Sequence, residues 1–336
     1  MTQPIATSRE VAERAGVSRS AVSRVFTQGA SVSPQMAERV RKAASELGYR
    51  PNALARSLIT GNSRIIGLVV AYLDNFFYPQ AIKALSHQLK QRGYHVLMFM
   101  APKTAGDVDD VLREILDYQV DGLILASVAM SSDLTEQCRQ AGIPVVLFNR
   151  TQPGANVTSV TSDNVAGGKQ VARLLAETGH RNVAYVAGWE GASTQQDREA
   201  GFRAGLAQAG LTLSGRAVGN FETEAARQAA RDLMSAPGDR PDAILVANDH
   251  MAFAVMDVLR FELGLRIPED LSVIGFDDVP MAAWPTYDLT TVRQPTDQMS
   301  IATADTLLTQ IKDPIAAPTR IELACELIRR GSLRAR

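Results

Sequence analysis

The sequence contains little cysteine and no long apolar segment. Its two cysteines, Cys138 and Cys325, lie far apart in segments that we predict as helix and strand, and this spacing gives neither a disulfide framework nor a C-x-x-C metal or redox site. No apolar run approaches the ~20 residues that a membrane span needs, and the polar N-terminus lacks the hydrophobic region of a signal peptide. We therefore expect a cytoplasmic, nucleoid-associated protein that is neither exported nor inserted into a membrane.

Signatures of catalysis are also missing. The sequence has no G-x-G-x-x-G after a predicted strand, no G-x-x-x-x-G-K-[ST] and no G-x-S-x-G, and its four histidines show no metal-ligand spacing. Asp277 and Asp278 have the residue types of a general acid and base. Adjacent residues at a strand end point to opposite faces, however, so we expect only one of them to reach a ligand. The sequence therefore predicts a protein that is not an enzyme and that uses no metal or cofactor.

The charge that is present is unevenly distributed. The 336 residues are 46% hydrophobic and 21% charged, as in a globular protein of two or three domains, and the net charge is −1. Residues 1–60 carry nine basic and four acidic side chains, a net charge of +5, which leaves −6 for the rest of the chain. A basic head on an acidic body indicates a module for a polyanion, and a solvated charged surface is the alternative.

Three short helices are predicted in this basic head. Thr7 to Glu10 is a capping-box pattern, Ser18 can cap a second helix, and Ser33–Pro34 starts a third helix that stops at Gly48. The predicted inward faces are Val11, Ala12 and Ala15, then Ala21, Val22 and Val25, then Met36, Val40, Ala43 and Leu47. The outer face of the second helix carries Arg19, Ser20, Ser23 and Arg24. Such a helix-turn-helix suits contacts with base edges and phosphates, and a three-helix protein-interaction module is the alternative.

The segment after the third helix is predicted to be only conditionally helical. Pro51 is suited to a helix start, and good helix formers follow it as far as Leu58. The segment spans barely two turns, and isolated helices that short are marginal in water. We expect it to fold only against a partner.

The motifs of the head resemble the headpiece of the LacI/GalR family of bacterial repressors. The matching runs are Ser8-Arg9-Glu10-Val11-Ala12, Gly16-Val17-Ser18, Val22-Ser23-Arg24-Val25, Val32-Ser33 and Leu47-Gly48-Tyr49-Arg50-Pro51-Asn52-Ala53, followed by Leu58. The resemblance implies a hinge helix whose Leu58 enters the minor groove at the centre of a palindromic operator, and a linker residue that packs on the body is the alternative for Leu58. The candidate DNA contacts are Ser8, Ser18, Arg19, Ser20, Ser23, Arg24, Asn52, Ala55 and Leu58.

From Arg64 onward, short apolar runs alternate with amphipathic segments. The runs are IIGLVVAYL, YHVLMFM, DGLILAS, IPVVLFN, VAYVAG, AILVAN and SVIGFDD, and the helical segments lie near 79–92, 107–118, 131–141, 163–178, 195–209, 222–235 and 249–263. This pattern predicts two doubly wound parallel sheets, which bind ligands at the carboxyl ends of their strands. The polar and aromatic residues at those ends, with Arg198 nearby, suit a hydroxyl-rich or ring-shaped molecule. Helix capping by Asn and Asp, and a core position for Phe77 and Tyr78, are the alternatives.

The body is similar to the type I periplasmic-binding-protein fold that the same family uses to sense small effectors. The matching runs are Ser162-Asp163-Asn164-Val165-Ala166-Gly167-Gly168, Thr178-Gly179-His180-Arg181, Asp197-Arg198-Glu199-Ala200-Gly201-Phe202, Val246-Ala247-Asn248-Asp249 and Val273-Ile274-Gly275-Phe276-Asp277-Asp278. Strand ends and resemblance together give these candidate effector contacts: Asn75, Phe77, Tyr78, Ser127, Asn149, Arg198, Phe221, Asn248 and Asp277. Phe76, where relatives often have proline, and Asn149, where many have aspartate, depart from the family pattern and leave the effector's identity open.

We therefore predict a helix-turn-helix headpiece over residues 1–50, a hinge over 51–63 and a two-subdomain body over 64–336. The N-subdomain is expected at about 64–161 and 293–322, and the C-subdomain at about 162–292 and 323–336. The predicted function is that of a homodimeric, sequence-specific repressor that binds palindromic double-stranded operator DNA. A sugar-like effector between the subdomains would control it. The alternatives are a cytosolic sugar-processing enzyme with a DNA-binding head and an exported sugar-binding protein.

Overall fold

A computed structural model describes residues 6–26, 30–50, 62–71, 73–101, 105–128, 131–152, 154, 156–236, 240–313 and 316–335. The chain divides into two compact units, Met1–Ser63 and Arg64–Arg336. Within the described residues, no helix combines the length and the apolar character that a membrane crossing requires.

The first unit contains three helices, α1 (Ser8–Ala15), α2 (Arg19–Val25) and α3 (Pro34–Glu46). Thr7 and Glu10 exchange both bonds of a capping box at the start of α1. The hydroxyls of Ser18 and Ser33 accept from Ala21 N and Met36 N, and so cap α2 and α3. The predicted helix starts are therefore confirmed.

The three helices enclose a small apolar core. Its buried members are Val11, Ala12, Ala15, Val22, Val25, Val40, Ala43 and Ala44. An ion pair of 3.0 Å between Arg14 and Glu46 joins α1 to the end of α3. The predicted inward position of Leu47 is wrong, because α3 ends at Glu46 and the Leu47 side chain is 38% exposed. Tyr49 packs against the core beyond the helix end, with its ring 6.0 Å from that of Phe26.

The second unit consists of two six-stranded sheets with flanking helices. In chain order its elements are β1 (Ile65–Val70), α4 (Phe77–Gln91), β2 (His95–Met100), α5 (Ala105–Asp117), β3 (Gly122–Ala126), α6 (Ser132–Gln140), β4 (Val145–Phe148), β5 (Thr158–Ser162), α7 (Asn164–Glu177), β6 (Val183–Ala187), α8 (Ser193–Gln208), β7 (Leu213–Val218), α9 (Thr223–Ser235), β8 (Ala243–Val246), α10 (Asp249–Asp257) with a π-helical turn (Val258–Glu262), β9 (Ser272–Asp277), a 3₁₀ turn (Pro280–Ala283), β10 (Thr290–Arg293), α11 (Thr296–Lys312), β11 (Arg320–Leu323) and β12 (Glu326–Ile328).

Parallel pairing dominates both sheets. The first has the strand order β11-β5-β4-β3-β1-β2 and only parallel pairs, and the second has the order β12-β10-β9-β8-β6-β7. Among the described strands of the second sheet, β12 alone pairs antiparallel, with β10. The fold class predicted for the body, two doubly wound parallel sheets, is confirmed.

The chain passes between the two sheets three times. It leaves the first sheet after β5 at Ser162, returns to it after β10 through Gln294 and Pro295, and leaves it again between β11 and β12 at Ala324 and Cys325. We call these three connections the crossovers. Because each follows the end of a strand, the crossovers lie close to the sheet edges at which ligands of such folds bind.

All seven predicted strands of the body are present, but other elements were not foreseen. The strands β5, β7, β10, β11 and β12 and the helix α11 were missed. β5 reads Thr-Ser-Val-Thr-Ser and is nevertheless buried throughout, because its hydroxyls find partners such as the Gln310 side chain, which donates to Thr158 Oγ1 at 2.6 Å. The strand β2 lies at a sheet edge, and its Met98 and Met100 are nearly half exposed, unlike the residues of the buried central strands.

Helices α7 and α8 pack with their backbones in contact. A Cβ atom added at Gly168 would lie 2.7 Å from Phe202 N, and one added at Gly201 would lie 2.8 Å from Val165 Cα. Real Cβ atoms do not approach a backbone so closely, so glycine is required at both positions. Arg198 lies one turn before Gly201 on α8. This contact therefore fixes the position of Arg198 relative to the second sheet.

We expect Gly201→Ala to destabilise the body by about 1–3 kcal/mol. The methyl group overpacks a backbone contact, and this outweighs the ~1 kcal/mol that alanine gains in helix propensity. Urea unfolding followed by circular dichroism measures the change. Ala204→Ser, which adds one atom on the exposed side of the same helix, is the control and should stay within about 0.5 kcal/mol of the parent. A stabilised Gly201→Ala protein would show that the two helices can separate without cost.

Candidate nucleic-acid interface and ligand cleft

The outer surface of α2 is polar over its whole length. Ala21, Val22 and Val25 are buried against the other helices, whereas Ser18, Arg19, Ser20, Ser23 and Arg24 are exposed. Ser18 Oγ lies 2.9 Å from Ser20 Oγ, and Ser8 is half-buried at the start of α1. Guanidinium and hydroxyl groups on one exposed helix face are the groups that contact guanine edges and phosphates.

The hinge residues predicted to contact DNA, Asn52, Ala55 and Leu58, lie outside the described residues. Their role in the minor groove stays a prediction.

A narrow cleft, whose cavity of about 20 Å³ has room for about one water molecule, lies between residues that follow the strands of both sheets. It is lined by Asn75, Tyr78, Asn149, Arg150, Thr194, Arg198, Phe221, Asn248 and Asp277. Seven of the nine candidate effector residues are in this group, and Phe77 and Ser127 are not. Arg150 and Thr194 were not among our candidates. Thr194 lies four residues before Arg198 on α8, so the helical period could have indicated it.

Phe77 and Ser127 support the cleft from behind its lining. Phe77 is 2% exposed in the main core, where its ring stacks on Phe148 at 6.3 Å. The hydroxyl of Ser127 is hydrogen-bonded to that of Tyr78, which also accepts from Asn149 Nδ2 at 3.2 Å. Burial raises the pKa of Tyr78 above its ordinary value, so its hydroxyl stays protonated at neutral pH. Tyr78 therefore presents a neutral hydroxyl to the cleft.

The Arg198 guanidinium is held on three sides within the second sheet's half of the cleft. Its Nε donates to Asn164 Oδ1 at 2.9 Å, and its two terminal nitrogens donate to Ala247 O at 2.6 Å and to Asp277 Oδ1 at 3.3 Å. Its plane lies 3.8 Å from the centroid of the Phe276 ring, a cation–π contact. Among the described residues these bonds occupy three of the five N–H donors of an arginine, which leaves two for a ligand.

Asp277 ends β9 with its carboxylate aimed at this arginine. Gln294 Nε2 donates to Asp277 Oδ1 at 2.7 Å, and the Asn75 side chain is also hydrogen-bonded to the carboxylate. Burial raises the pKa of Asp277 to about 6, although Arg198 and Gln294 favour the charged form. Asp278 points the other way, to Arg293 at 2.6 Å and Arg330 at 2.7 Å. The prediction that the two neighbours face opposite sides is confirmed.

The backbone is strained at several strand ends around the cleft. Ser127, Asn149, Phe221 and Asp277 have φ values of 60°, 68°, 59° and 126°. These values lie in the left-handed region that glycine favours, and such residues persist where the surrounding structure holds them. Three of the four line the cleft, so the strain is concentrated where side chains must point at a ligand.

Two buried amide atoms at the cleft have no hydrogen-bond partner among the described residues. They are Asn149 Oδ1, an acceptor, and Asn248 Nδ2, a donor. The other amide atom of Asn248, Oδ1, accepts from Met251 N at 3.0 Å and caps α10. Capping and ligand binding are therefore compatible roles for this one side chain, because it uses a different atom for each.

Aromatic rings cover the second sheet's side of the cleft. The Phe221 ring lies over Gly188, where a Cβ atom would come within 2.7 Å of it, and the Trp189 ring lies equally close to Gly191. The Arg150 guanidinium, which follows a strand of the first sheet, lies 5.5 Å from the Trp189 centroid. Glycine at these two positions thus lets flat rings approach the loop backbone.

Further contacts join the two halves of the body across the cleft. Thr151 N donates to Ser193 Oγ at 2.9 Å, and the Phe76 and His250 rings meet edge-on at 5.7 Å. The cleft is closed in this structure.

Asp249 is a second buried carboxylate, behind the cleft. Its oxygens accept from Thr291 Oγ1 at 2.6 Å and from Val279 N at 3.0 Å. Burial, and after it the charge of Asp277, raises the pKa of Asp249 to about 7. Asp249 and Asp277 therefore titrate as a pair near neutral pH.

Across the described residues, no group of three or more His, Cys, Asp or Glu side chains has an arrangement that could hold a metal ion.

The buried carboxylates make the stability of the body depend on pH. Each has a folded pKa above its unfolded value of about 3.9, so their contribution to stability is complete below about pH 4 and is lost as pH rises through 6 to 7. Asp249→Asn removes one of these titrations. Its amide nitrogen can donate to the Thr291 hydroxyl while its oxygen accepts from Val279 N, so both neighbouring groups keep a partner.

We expect the stability of Asp249→Asn, relative to that of the parent, to be at least about 1 kcal/mol greater at pH 8 than at pH 5. Urea unfolding at the two pH values is the measurement. Asp117→Asn, on the exposed side of α5, is the control and should show the same small difference at both. A stability difference for Asp249→Asn that does not vary with pH would show that Asp249 is ionised throughout this range.

Comparison with known proteins gives both parts of the chain a family. Residues 7–52 match the family of bacterial regulatory proteins, lacI family, and residues 172–333 match the periplasmic binding protein-like domain. The chain is 33% identical over 337 residues to the HTH-type transcriptional repressor PurR of Vibrio vulnificus, and the match covers 98% of this chain and 99% of that protein.

Two solved structures are similar over the whole length. One, described as a transcriptional regulator CelR-cellobiose complex, is 31% identical with a TM-score of 0.73, and the other, a lac repressor dimer bound to operator and an anti-inducer, is 26% identical with a TM-score of 0.88. Each match covers 98% of this chain and 100% of the solved one. The similar proteins are transcriptional regulators and not enzymes, as the sequence predicts. The chain belongs to the LacI family of bacterial transcriptional repressors, with a helix-turn-helix headpiece and a periplasmic-binding-protein-like effector body.

Proposed function

We propose that this LacI-family repressor acts in the cytoplasm as a homodimer on a palindromic operator, and that a sugar-like effector in the cleft changes its affinity for DNA. The observation that carries the effector class is the pair of unpartnered amide atoms, Asn149 Oδ1 and Asn248 Nδ2. A sugar hydroxyl both accepts and donates, so a sugar offers partners of the kind that each of these two atoms lacks.

The remaining lining supports the same ligand chemistry. The Phe221 ring offers a flat apolar surface to the face of a sugar ring, and the two remaining N–H donors of Arg198 can bind its hydroxyl oxygens. The cavity of about 20 Å³ has room for little more than a water molecule in this closed state, so the two halves of the body must move apart to admit a sugar. The similar regulator in complex with cellobiose binds a related class of ligand.

The exposed face of α2 supports the DNA part of the proposal. Its arginines are carried on a short capped helix whose other side is fully packed, so the helix can enter a major groove without unfolding. The related lac repressor dimer is bound to its operator. The predicted subdomain boundaries, the hinge over 51–63 and the DNA contacts of the hinge remain part of this proposal.

Control by the effector follows from the thermodynamic linkage between ligand binding in the cleft and DNA binding by the headpieces. A ligand that contacts both halves of the body stabilises one closure angle of the cleft, and in a dimer this angle sets the separation of the two hinges. A hinge helix too short to be stable alone then forms on DNA only at the right separation.

We expect Arg19→Ala to relax sequence preference at one operator position at a cost of about 1–3 kcal/mol, because a bidentate contact to a base edge is lost. Fluorescence anisotropy with a set of single-base operator variants measures it. Arg24→Ala is the comparison, and a phosphate contact there should weaken binding to all sequences alike. Uniform weakening by Arg19→Ala would instead assign Arg19 to the DNA backbone.

The effector proposal is tested by thermal shift with D-ribose, D-glucose, D-galactose, cellobiose, sugar acids, phosphosugars and purines. A ligand at about 100 times its Kd adds about 2.7 kcal/mol to the stability of the folded protein. We expect a sugar to give this shift and Asn248→Asp to weaken its binding at least ~10-fold, since the carboxylate keeps the cap of α10 but cannot donate.

Asn156→Asp, which places the same charge at an exposed position, is the control and should bind the sugar like the parent. Stabilisation by purines alone, or full sugar binding by Asn248→Asp, would contradict the assignment of this cleft to a sugar.

A further inference from the structure

Two of the three crossovers meet at one buried hydroxyl group. Ser162 ends β5 at the first crossover and is 1% exposed. Its Oγ donates to Gln294 Oε1, in the second crossover, at 2.6 Å. A change in the angle between the two sheets moves these connections, so it must alter the bonds of this hydroxyl.

The same residue is linked to the ligand cleft by two routes. Through the first, Gln294 Nε2 donates to Asp277 Oδ1 at 2.7 Å. Through the second, Asn164 Nδ2 donates to the Ser162 carbonyl oxygen at 3.0 Å, and Asn164 Oδ1 accepts from Arg198 Nε at 2.9 Å. Because Arg198 also donates to Asp277, the five residues close a ring of hydrogen bonds. We call it the crossover ring, and all its members are 5% exposed or less.

We propose that Ser162 is a positioning residue. Through it, the Arg198–Asp277 pair of the cleft sets the angle between the two sheets at the crossovers. The proposal rests on the proposed function, since it describes how occupancy of that cleft reaches the DNA-binding part. Buried polar groups need partners, so a shift of Asp277 or Arg198 on ligand binding is followed by Gln294, Asn164 and Ser162 rather than absorbed by broken bonds. The crossover ring thus connects the residues that contact the ligand to the crossovers between the two sheets.

The test closes the cleft without an effector. Thr151→Cys with Ser193→Cys places two thiols across the cleft where Thr151 N and Ser193 Oγ are 2.9 Å apart, which keeps their Cα atoms within about 7 Å and in reach of a disulfide. The operator is selected from random-sequence DNA with the purified protein. Its Kd is then measured by fluorescence anisotropy for the oxidised and the reduced dimer, with the crosslink verified by mass spectrometry.

We expect oxidation to change the operator Kd at least 10-fold in the otherwise native protein and less than 2-fold when Ser162→Ala is added. Ser162→Ala removes a single oxygen atom, and Gln294→Leu breaks the ring from its other side and should uncouple in the same way. The matched control is Ser300→Ala. It also removes one buried serine hydroxyl, which bonds to Thr296 O within α11 and is outside the ring, and it should keep the full 10-fold response.

A Ser162→Ala protein that keeps the full response, or a native protein whose operator Kd ignores the crosslink, overturns the proposal. So does failure of the thiol pair to crosslink, because the cleft then does not close at these residues. Thermal unfolding identifies a merely structural effect, which would lower the melting temperatures of Ser162→Ala and Ser300→Ala alike without separating their operator responses. No sugar is added in this experiment. A retained disulfide response beside a failed sugar screen would therefore contradict only the effector class.

Discussion

The body depends on the backbone contact between α7 and α8. Gly168 and Gly201 bring the two helices together so closely that no side chain fits between them. Arg198 is carried on α8 and Asn164 begins α7, so the same contact sets the 2.9 Å bond between their side chains. Without that approach, the guanidinium could not reach Asp277, Ala247 O and the Phe276 ring together. The ligand groups of the cleft are therefore positioned by a packing requirement on the other side of the helix.

The polar residues of the cleft divide into those that face a ligand and those that hold them in place. Tyr78 lines the cleft and Ser127 fixes its hydroxyl, while Asp277 lines the cleft and Gln294 fixes its carboxylate. Strained backbone at the strand ends contributes to the same effect, because it is tolerated only where neighbours hold it. A site prepared in this way loses little side-chain freedom when it binds, which favours affinity for a small, polar ligand.

The architecture and most of the cleft residues could be predicted from the sequence. The predictions that failed did so for physical reasons. Apolar runs identified the central strands, but β5 was missed because its threonines and serines are buried by hydrogen bonding and not by apolar character. Phe77 was expected in the cleft together with Tyr78, but its ring packs into the core against Phe148, and Tyr78 alone of the two lines the cleft. The crossover ring could not be foreseen, because Ser162 and Gln294 are 132 residues apart in the chain.

The raised pKa of Asp277 has a consequence for the energetics of recognition. Near pH 6 the carboxyl group is divided between its protonated and ionised forms. A ligand hydroxyl that donates to the carboxylate stabilises the ionised form, so binding expels a proton to the solvent. The heat of binding observed by calorimetry then includes the ionisation heat of the buffer, and affinity increases with pH until the group is fully ionised. Binding of such a ligand is correspondingly weaker at acidic pH.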